Sequence, residues 1–532
     1  MIRKTRELSG IRVQEDIISH FLLEFKKEIV MKKILSILLV SFLVISCKDF
    51  LNMPPKNVKV VYTMEDVKEA MSLFLYGTLK SNAGTGTANT LNNLVYFGGG
   101  RIQFPFSRYV NVASAMCSDD INMVGFVNEN QDRPDRGGYS YESEYQEIKN
   151  WEGYSFAETI WKGVYLSVGY LNMVLKDLSN VPDYNKVEYE RIAGEARVIR
   201  AYYLLRLNQL FAPYDNNDLG IPINFDVDDI KGGPRLKQSE VYKILLGELK
   251  DVLDYETVPK DSWNVFYNKK IIYAILAQVY QYKAGSAAGE KDDWNKAEIF
   301  ARDARDGNRV ENTIEEQQEL NYVPDDRIVN KPHPFALLRF SLLGDGGNGY
   351  APWGTVGLPQ QKPVDDLFEM YDADDIRVAA FFKIVDGKPY FVKLQSLGSV
   401  DYCNETHPLF RMSDLLLIEA EAKMRQGNEE GARMLLDEFK RSKIPGYMGD
   451  FDGDVLAEIL KERRKEFILE EQMRWLDMKR LGVSVSREAS DDESLGLKVY
   501  TLDANDYRYT LPIPLDSELQ YNNIQQNPGW KH

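Results

Sequence analysis

Between residues 191 and 211 the chain reads RIAGEARVIRAYYLLRLNQLF. Apolar residues recur at Ile192, Ala196, Ile199, Tyr203, Leu207 and Leu210, in steps of three and four that match one face of an α-helix. Val198, Tyr202 and Leu205 make a second apolar row. A helix apolar on two sides must be covered on two sides, so this one is predicted to lie inside a stack of helices and to end at Pro213. Glu195, Arg197, Arg200 and Arg206 interrupt the apolar frame and are expected to pair with neighbouring helices. A catalytic Glu195 would need a second carboxylate at useful spacing on the same face, and there is none.

The same period predicts helices over 63–79, 156–178, 189–211, 240–255 (with Ser239 as N-cap), 269–283 and 294–306. Residues 411–425 and 429–442 read as a helix pair turned at Gly427-Asn428, and 455–480 as one long amphipathic helix. Trp294, Ala297 and Ala301 follow the W-x-x-A-x-x-x-A pattern of tetratricopeptide helices, in which small residues allow close approach; the repeat is degenerate. Residues 335–343 and 381–394 alternate or run apolar like short strands. Segments 81–111, 121–153 and 344–359 show no helical period and are rich in Gly, Asn and aromatic residues. Residues 212–235 read as a loop and 510–530 as an extended tail. The class is mainly α, a helical scaffold with long irregular loops and a few short strands.

The 532 residues suffice for one large domain or two to three ordinary ones. A formal charge of −16 repels phosphate backbones, so no nucleic-acid partner is expected. Lys32-Lys33, the short apolar run 34–45 and Ser46-Cys47 match a lipoprotein signal peptide over 31–46, which leaves Cys47 as the lipidated first residue. Residues 1–30 then read as an extension in front of a true start at Met31, and 47–60 as a Pro-broken tether. Without residues 1–46 the charge falls to about −19. Cys117 and Cys403 are the remaining thiols and could pair or be buried singly.

No cofactor or metal is expected. The run Gly344–Gly349 matches G-x-G-x-x-G, but Tyr350-Ala351-Pro352 follows where a helix should start. Asp450, Asp452 and Asp454 alternate like a calcium loop, yet Gly453 is misplaced and Lys461 stands where the Glu belongs. None of the four His lies at i, i+4 from another, and no G-x-S-x-G, H-E-x-x-H or Walker motif occurs. The aromatic loops carry more information. Rings in irregular polar segments cannot all be core, and a flat ring stacks on the apolar face of a sugar while carboxylates accept its hydroxyls. The candidate ligand residues are Trp353, Tyr350, Trp151, Tyr141 and Tyr139, with Asp119 and Asp120 as hydroxyl acceptors.

Five stretches, in order along the chain, resemble the SusD/RagB family of outer-membrane nutrient-binding lipoproteins. They are Cys47-Lys48-Asp49-Phe50-Leu51; Gly194-Glu195-Ala196-Arg197 with Arg200-Ala201-Tyr202-Tyr203; and Arg411-Met412-Ser413-Asp414 continuing to Glu419-Ala420-Glu421-Ala422. The fourth is Glu462-Arg463-Arg464-Lys465-Glu466 with Arg474-Trp475, Asp477 and Lys479-Arg480, and the fifth Leu511-Pro512-Ile513-Pro514 with Gln526-Asn527-Pro528-Gly529-Trp530. The resemblance implies one SusD-like domain over 61–532, with an N-terminal and helical-repeat part to about 310 and a C-terminal part from about 311. It implies a non-enzymatic lipoprotein at the outer membrane, facing the exterior, that captures oligosaccharide for a TonB-dependent transporter of the SusC type. A peptide-binding member of the family and a surface glycoside hydrolase are the alternatives. The matched motifs would be scaffold. Only chain position transfers to the ligand site: the loop after Ser118-Asp119-Asp120 and the aromatic loop after the helical repeats.

Overall fold

The computed structural model describes residues 63–79, 96–97, 100–101, 118–124, 155–229, 233–257, 263–320, 333–343, 362–393, 404–449, 451–470, 473–490, 498–514, 518–519 and 522–530. The chain falls into two units, Met1–Tyr62 and Thr63–His532, and only the second holds described residues. Its first six helices are α1 (Met64–Leu79), α2 (Ser155–Asn180), α3 (Lys186–Phe211), α4 (Gln238–Leu253), α5 (Lys269–Ala284) and α6 (Asp293–Arg305). They continue with α7 (Ile314–Glu319), α8 (Asp365–Phe368), α9 (Ile376–Phe381), α10 (Met412–Arg425), α11 (Glu429–Lys443), α12 (Val455–Glu466) and α13 (Met473–Leu481). The strands are short: β1 (Tyr96–Phe97), β2 (Gly100–Arg101), β3 (Ile121–Val124), β4 (Ala336–Leu343), β5 (Lys362–Pro363), β6 (Phe382–Val385), β7 (Lys388–Phe391), β8 (Asn404–Arg411), β9 (Val485–Ser490) and β10 (Lys498–Leu502). The predicted mainly helical class is what the structure has.

Helix α3 lies inside the stack, between α2 and α4, with 20 of its 26 residues buried, including both apolar rows. A buried helix end must find partners for its last carbonyls. The Gln209 and Ala212 carbonyls each accept from Lys479 Nζ at 2.8 Å, and that of Leu210 accepts from the Leu511 N–H at 3.0 Å. The Phe211 carbonyl accepts from Asn527 Nδ2 at 2.8 Å and Arg235 Nη2 at 3.3 Å. One helix terminus thus holds α13, the tail and the loop after α3 together.

At the other end of α3, Gly194 and Glu195 act jointly. A Cβ on Gly194 would lie 2.6 Å from the Tyr267 ring, so glycine lets the 264–267 loop lie directly on the helix. Glu195 then accepts from the N–H groups of Val265, Phe266 and Tyr267 and from Asn264 Nδ2, at 2.8–3.1 Å. The expected helix partner for Glu195 is therefore a loop backbone. Arg197 and Arg200 do pair with a neighbouring helix, both through Glu248 of α4. Arg206 donates to Gln278 of α5 at 2.8 Å. Ala297, Ala301 and Ala304 of α6 are fully buried in the position the tetratricopeptide pattern predicts, where α6 meets α5 and α10.

The second half is built around buried charge. Arg377 pairs with Asp375 (2.7 Å), Glu462 (2.5 Å) and Glu466 (3.4 Å); Arg411 pairs with Glu311 (3.0 Å), Glu466 and Glu470 (2.5 Å). Lys443 joins Glu311 and Glu466, Lys465 joins Asp375 and Glu462, and Lys393 joins Glu470. Five cations meet five carboxylates, so the cluster is neutral as a whole, the condition under which buried ions are tolerated. Burial opposes ionisation of Glu462, but Arg377 and Lys465 outweigh it and hold its pKa at about 2.

Two local expectations are corrected and a third is refined. Ser239 is not the N-cap: α4 starts at Gln238, the Glu240 carboxylate accepts from the Lys237 N–H, and Ser239 is bonded to Asn217 instead. Residues 455–480 are two helices, α12 and α13, broken after Glu466 with Leu469 at φ 63°. Phe467, Ile468 and Leu469 are consecutive and all buried; one helix would point at least one of them outward, and the break buries all three. Within the strand-like stretch 381–394, Phe381 closes α9 and residues 382–391 form a hairpin of two short strands, β6 and β7, reversed at Asp386-Gly387 with φ of 50° and 77°, the Asp-Gly turn that matches strand twist.

Candidate functional site

Two of the aromatic-rich segments leave from one small sheet. Its strand order is β10-β9-β3-β5. Segment 125–154, which carries Tyr139, Tyr141 and Trp151, follows β3; segment 344–361, which carries Tyr350 and Trp353, precedes β5. β3 and β5 pair antiparallel, with Ile121 opposite Pro363 and Asn122 opposite Lys362. The Val364 N–H donates to the Asp120 carbonyl at 3.0 Å. The strand that the first segment follows and the strand that the second precedes are therefore neighbours in space. β3 also runs parallel to β9, with Val124 beside Ser490. The far end of β4, where segment 344–361 begins, pairs Leu343 with Asn404 of β8.

Asp119 and Asp120, just before β3, are held by two arginines from the helical half. Arg474 of α13 grips Asp119 with two parallel bonds, Nε to Oδ1 at 2.7 Å and Nη2 to Oδ2 at 2.6 Å. Arg464 of α12 donates from Nε to Asp120 Oδ1 and from Nη2 to the Asp119 carbonyl, both at 2.8 Å. Such planar fork-to-carboxylate contacts fix orientation as well as distance. Burial works against the Asp119 charge, but Arg474 outweighs it and lowers the pKa. Asp120 is more deeply enclosed; burial and the adjacent Asp119 charge raise its pKa against the pull of Arg464.

The structure thus places Asp119 and Asp120 side by side just before β3, at the end of that strand away from segment 125–154. Trp353, Tyr350, Trp151, Tyr141, Tyr139, Cys47, Cys117 and Cys403 lie outside the described residues. Arg464 and Arg474 were read in the sequence only as parts of a motif. Their partners are more than 340 residues away in sequence, and no local pattern connects them. Asp454 of the acidic turn caps α12, accepting from the N–H groups of Leu456 and Ala457. Among the described residues no helix is long and apolar enough to cross a membrane.

A family model described as "SusD family" matches residues 383–530, and one described as "Starch-binding associating with outer membrane" matches residues 112–281. Together they span more than half of the chain. No curated protein matches. Among solved structures, a SusD superfamily protein from Bacteroides thetaiotaomicron is 20% identical with a TM-score of 0.63, covering 88% of this chain and 100% of its own. A SusD superfamily protein from Bacteroides vulgatus is 19% identical with a TM-score of 0.65, covering 88% and 100%. A SusD-like carbohydrate binding protein from Bacteroides vulgatus is 16% identical with a TM-score of 0.62, covering 87% and 97%. The fold is shared with all three along nearly the whole domain.

Proposed function

We propose that this chain, which belongs to the SusD family, binds carbohydrate at the outer membrane and hands oligosaccharide to a TonB-dependent transporter of the SusC type. It acts by capture, without catalysis, as a lipoprotein anchored through Cys47 and facing the cell exterior. The observation that carries the reading is the shared root of the two aromatic segments at β3 and β5. Rings from both can then serve one ligand: Trp353 and Tyr350 from one, Trp151, Tyr141 and Tyr139 from the other. Asp119 keeps acceptor capacity for a sugar hydroxyl: each of its two oxygens has more than one acceptor site, Arg474 takes one at each, and Arg464 Nη2 stands 3.4 Å from Oδ2. Asp120 backs it from a buried position. The matched motifs around Arg411 and Glu462 are taken up by buried ion pairs, which supports their reading as scaffold.

The test is binding of the purified domain to a printed array of plant, host and microbial oligosaccharides, with a reducing-end assay on the same sugars. Binding without release of new reducing ends is expected. Turnover would overthrow the reading in favour of a hydrolase, and binding to peptides alone would favour a peptide-capturing member of the family.

A further inference from the structure

We propose that Tyr184, Tyr189 and Tyr255 form an accessory platform that stacks neutral polysaccharide, at the start of α3 and the end of α4. This rests on the reading of the chain as a carbohydrate binder and uses no residue of segments 125–154 and 344–361. Among the described residues Tyr184 is the most exposed aromatic side chain, at 64%. Its backbone is pinned from both sides. Asp183 Oδ1 accepts from the Met64 N–H, the first of α1, at 2.9 Å. Asn185 Oδ1 caps α3, accepting from the N–H groups of Val187 and Glu188 at 3.0 and 3.2 Å. A ring whose place is fixed in advance loses little freedom when it binds. The Tyr189 ring stands 5.4 Å from that of Tyr184, tilted by 50°. Burial raises the Tyr189 pKa, and the nearby Tyr255 and Tyr184 hydroxyls add to the rise, which places the three phenols together. Tyr255 is held by its hydroxyl, which accepts from Arg197 Nη1 at 3.0 Å.

The groups around the rings select the ligand. Lys186 Nζ is 2.8 Å from Glu256 Oε2 and 3.9 Å from Glu190 Oε1; Arg197 Nη2 is 2.8 Å from Asp251 Oδ2 and 2.7 Å from Glu248 Oε1. Both cations are already met by carboxylates, so an ionic partner would have to displace existing pairs. A protein partner would need about 800 Å² a side around an apolar centre. Among the described residues of this face, Tyr184 and Val187 are the exposed large apolar side chains, too few for such a centre. A neutral sugar needs less: a flat ring under its C–H groups and acceptors for its hydroxyls. The exposed Glu256 and Asp251 carboxylates keep acceptor sites beside their ion pairs.

The test is native electrophoresis of the purified protein in gels cast with amylopectin, xyloglucan, arabinoxylan or galactomannan, and in a gel without polysaccharide. The unsubstituted protein is compared with Tyr184→Ala, Tyr184→Phe and Trp353→Ala, with circular dichroism as the fold control. Tyr184 is exposed, so its truncation leaves the core untouched. In the gel that retards the unsubstituted protein most, Tyr184→Ala should need about fivefold or more polysaccharide for the same retardation. Tyr184→Phe keeps the ring and should stay within about twofold. Unchanged retardation of natively folded Tyr184→Ala, or an equal loss in Tyr184→Phe, overturns the inference. A loss in Trp353→Ala alone overturns it and leaves the functional reading standing. A loss in Tyr184→Ala alone supports it and moves the main site away from Trp353. An unsubstituted protein retarded in none of the gels overturns both.

Discussion

Replacing Glu195 by Gln tests whether the central helix is tied to its neighbour by one carboxylate. Glu195 Oε1 accepts from the Val265 and Phe266 N–H groups at 3.1 and 2.8 Å. Oε2 accepts from Val265 N, Tyr267 N and Asn264 Nδ2 at 2.9–3.0 Å. Every group facing the carboxylate is a donor, and among the described residues no cationic side chain pairs with it. Glutamine turns one of the two oxygens into an NH2, so two or more donors must face another donor. Each hydrogen bond to a charged acceptor contributes about 1.5–3 kcal/mol, so losing two costs about 3–6 kcal/mol. That is a large part of a typical stability of about 5–15 kcal/mol. Urea unfolding at pH 7, followed by circular dichroism and tryptophan fluorescence, should show a lower midpoint with an unchanged slope. Amides of residues 264–267 should lose protection first. If Glu195→Gln unfolds within about 1 kcal/mol of the unsubstituted protein, the carboxylate does not organise the loop and the reasoning fails.

The other stability predictions use the same assay. Gly194→Ala puts a Cβ 2.6 Å from the Tyr267 ring and should cost about 1–3 kcal/mol; a neutral effect would mean the ring is not seated there. Arg377→Met strands Asp375 and Glu462 with Lys465 alone and should cost about 3–5 kcal/mol at pH 7. Because the Glu462 pKa is depressed to about 2, its contribution is present above about pH 4.5 and is lost as pH falls toward 2. The Arg377→Met deficit should therefore shrink over that window, and a constant deficit would contradict the pairing. Burial pushes the Lys479 pKa down to about 7, with Asp215 opposing. Between about pH 7 and 10 the unfolded chain then binds more protons there than the folded one, so stability from this group rises with pH. The stability of the unsubstituted protein minus that of Lys479→Met should grow by about 1 kcal/mol or more over that range; a flat or falling difference would refute it.

How much of this was legible in the sequence depends on the range of the interactions. The double apolar row of α3 and the alanines of α6 are local periodic signals, and both mark buried faces as read. The break after Glu466 was hidden because 455–480 keeps an amphipathic pattern throughout; only three consecutive apolar residues, Phe467 to Leu469, hint that one face is not enough. The β6–β7 turn is written in Asp386-Gly387, but the flanking apolar runs are too short to signal two strands. The charged motif 462–466 read as one unit, but its side chains diverge around the helix. Glu462 and Glu466 enter the ionic cluster, Arg463 goes to Asp414 and Asp477, and Arg464 goes to the strand root. Spacing shows that such residues are near each other, and only the fold shows which distant carboxylate each meets. Asp119 and Asp120 were picked out as acidic residues before an irregular segment; that two arginines hold them could not be read from either end of the chain.

The central claim is that rings from segments 125–154 and 344–361 bind one sugar. It is tested most directly by calorimetry of Trp353→Ala and Trp151→Ala with the oligosaccharide that the unsubstituted domain binds most strongly on the array. Circular dichroism serves as the fold control. Each lost stacking ring should cost about 1–3 kcal/mol, a roughly 5- to 150-fold loss of affinity, with native spectra. Undiminished binding by both variants, both natively folded, would contradict the claim and move the site elsewhere on the domain.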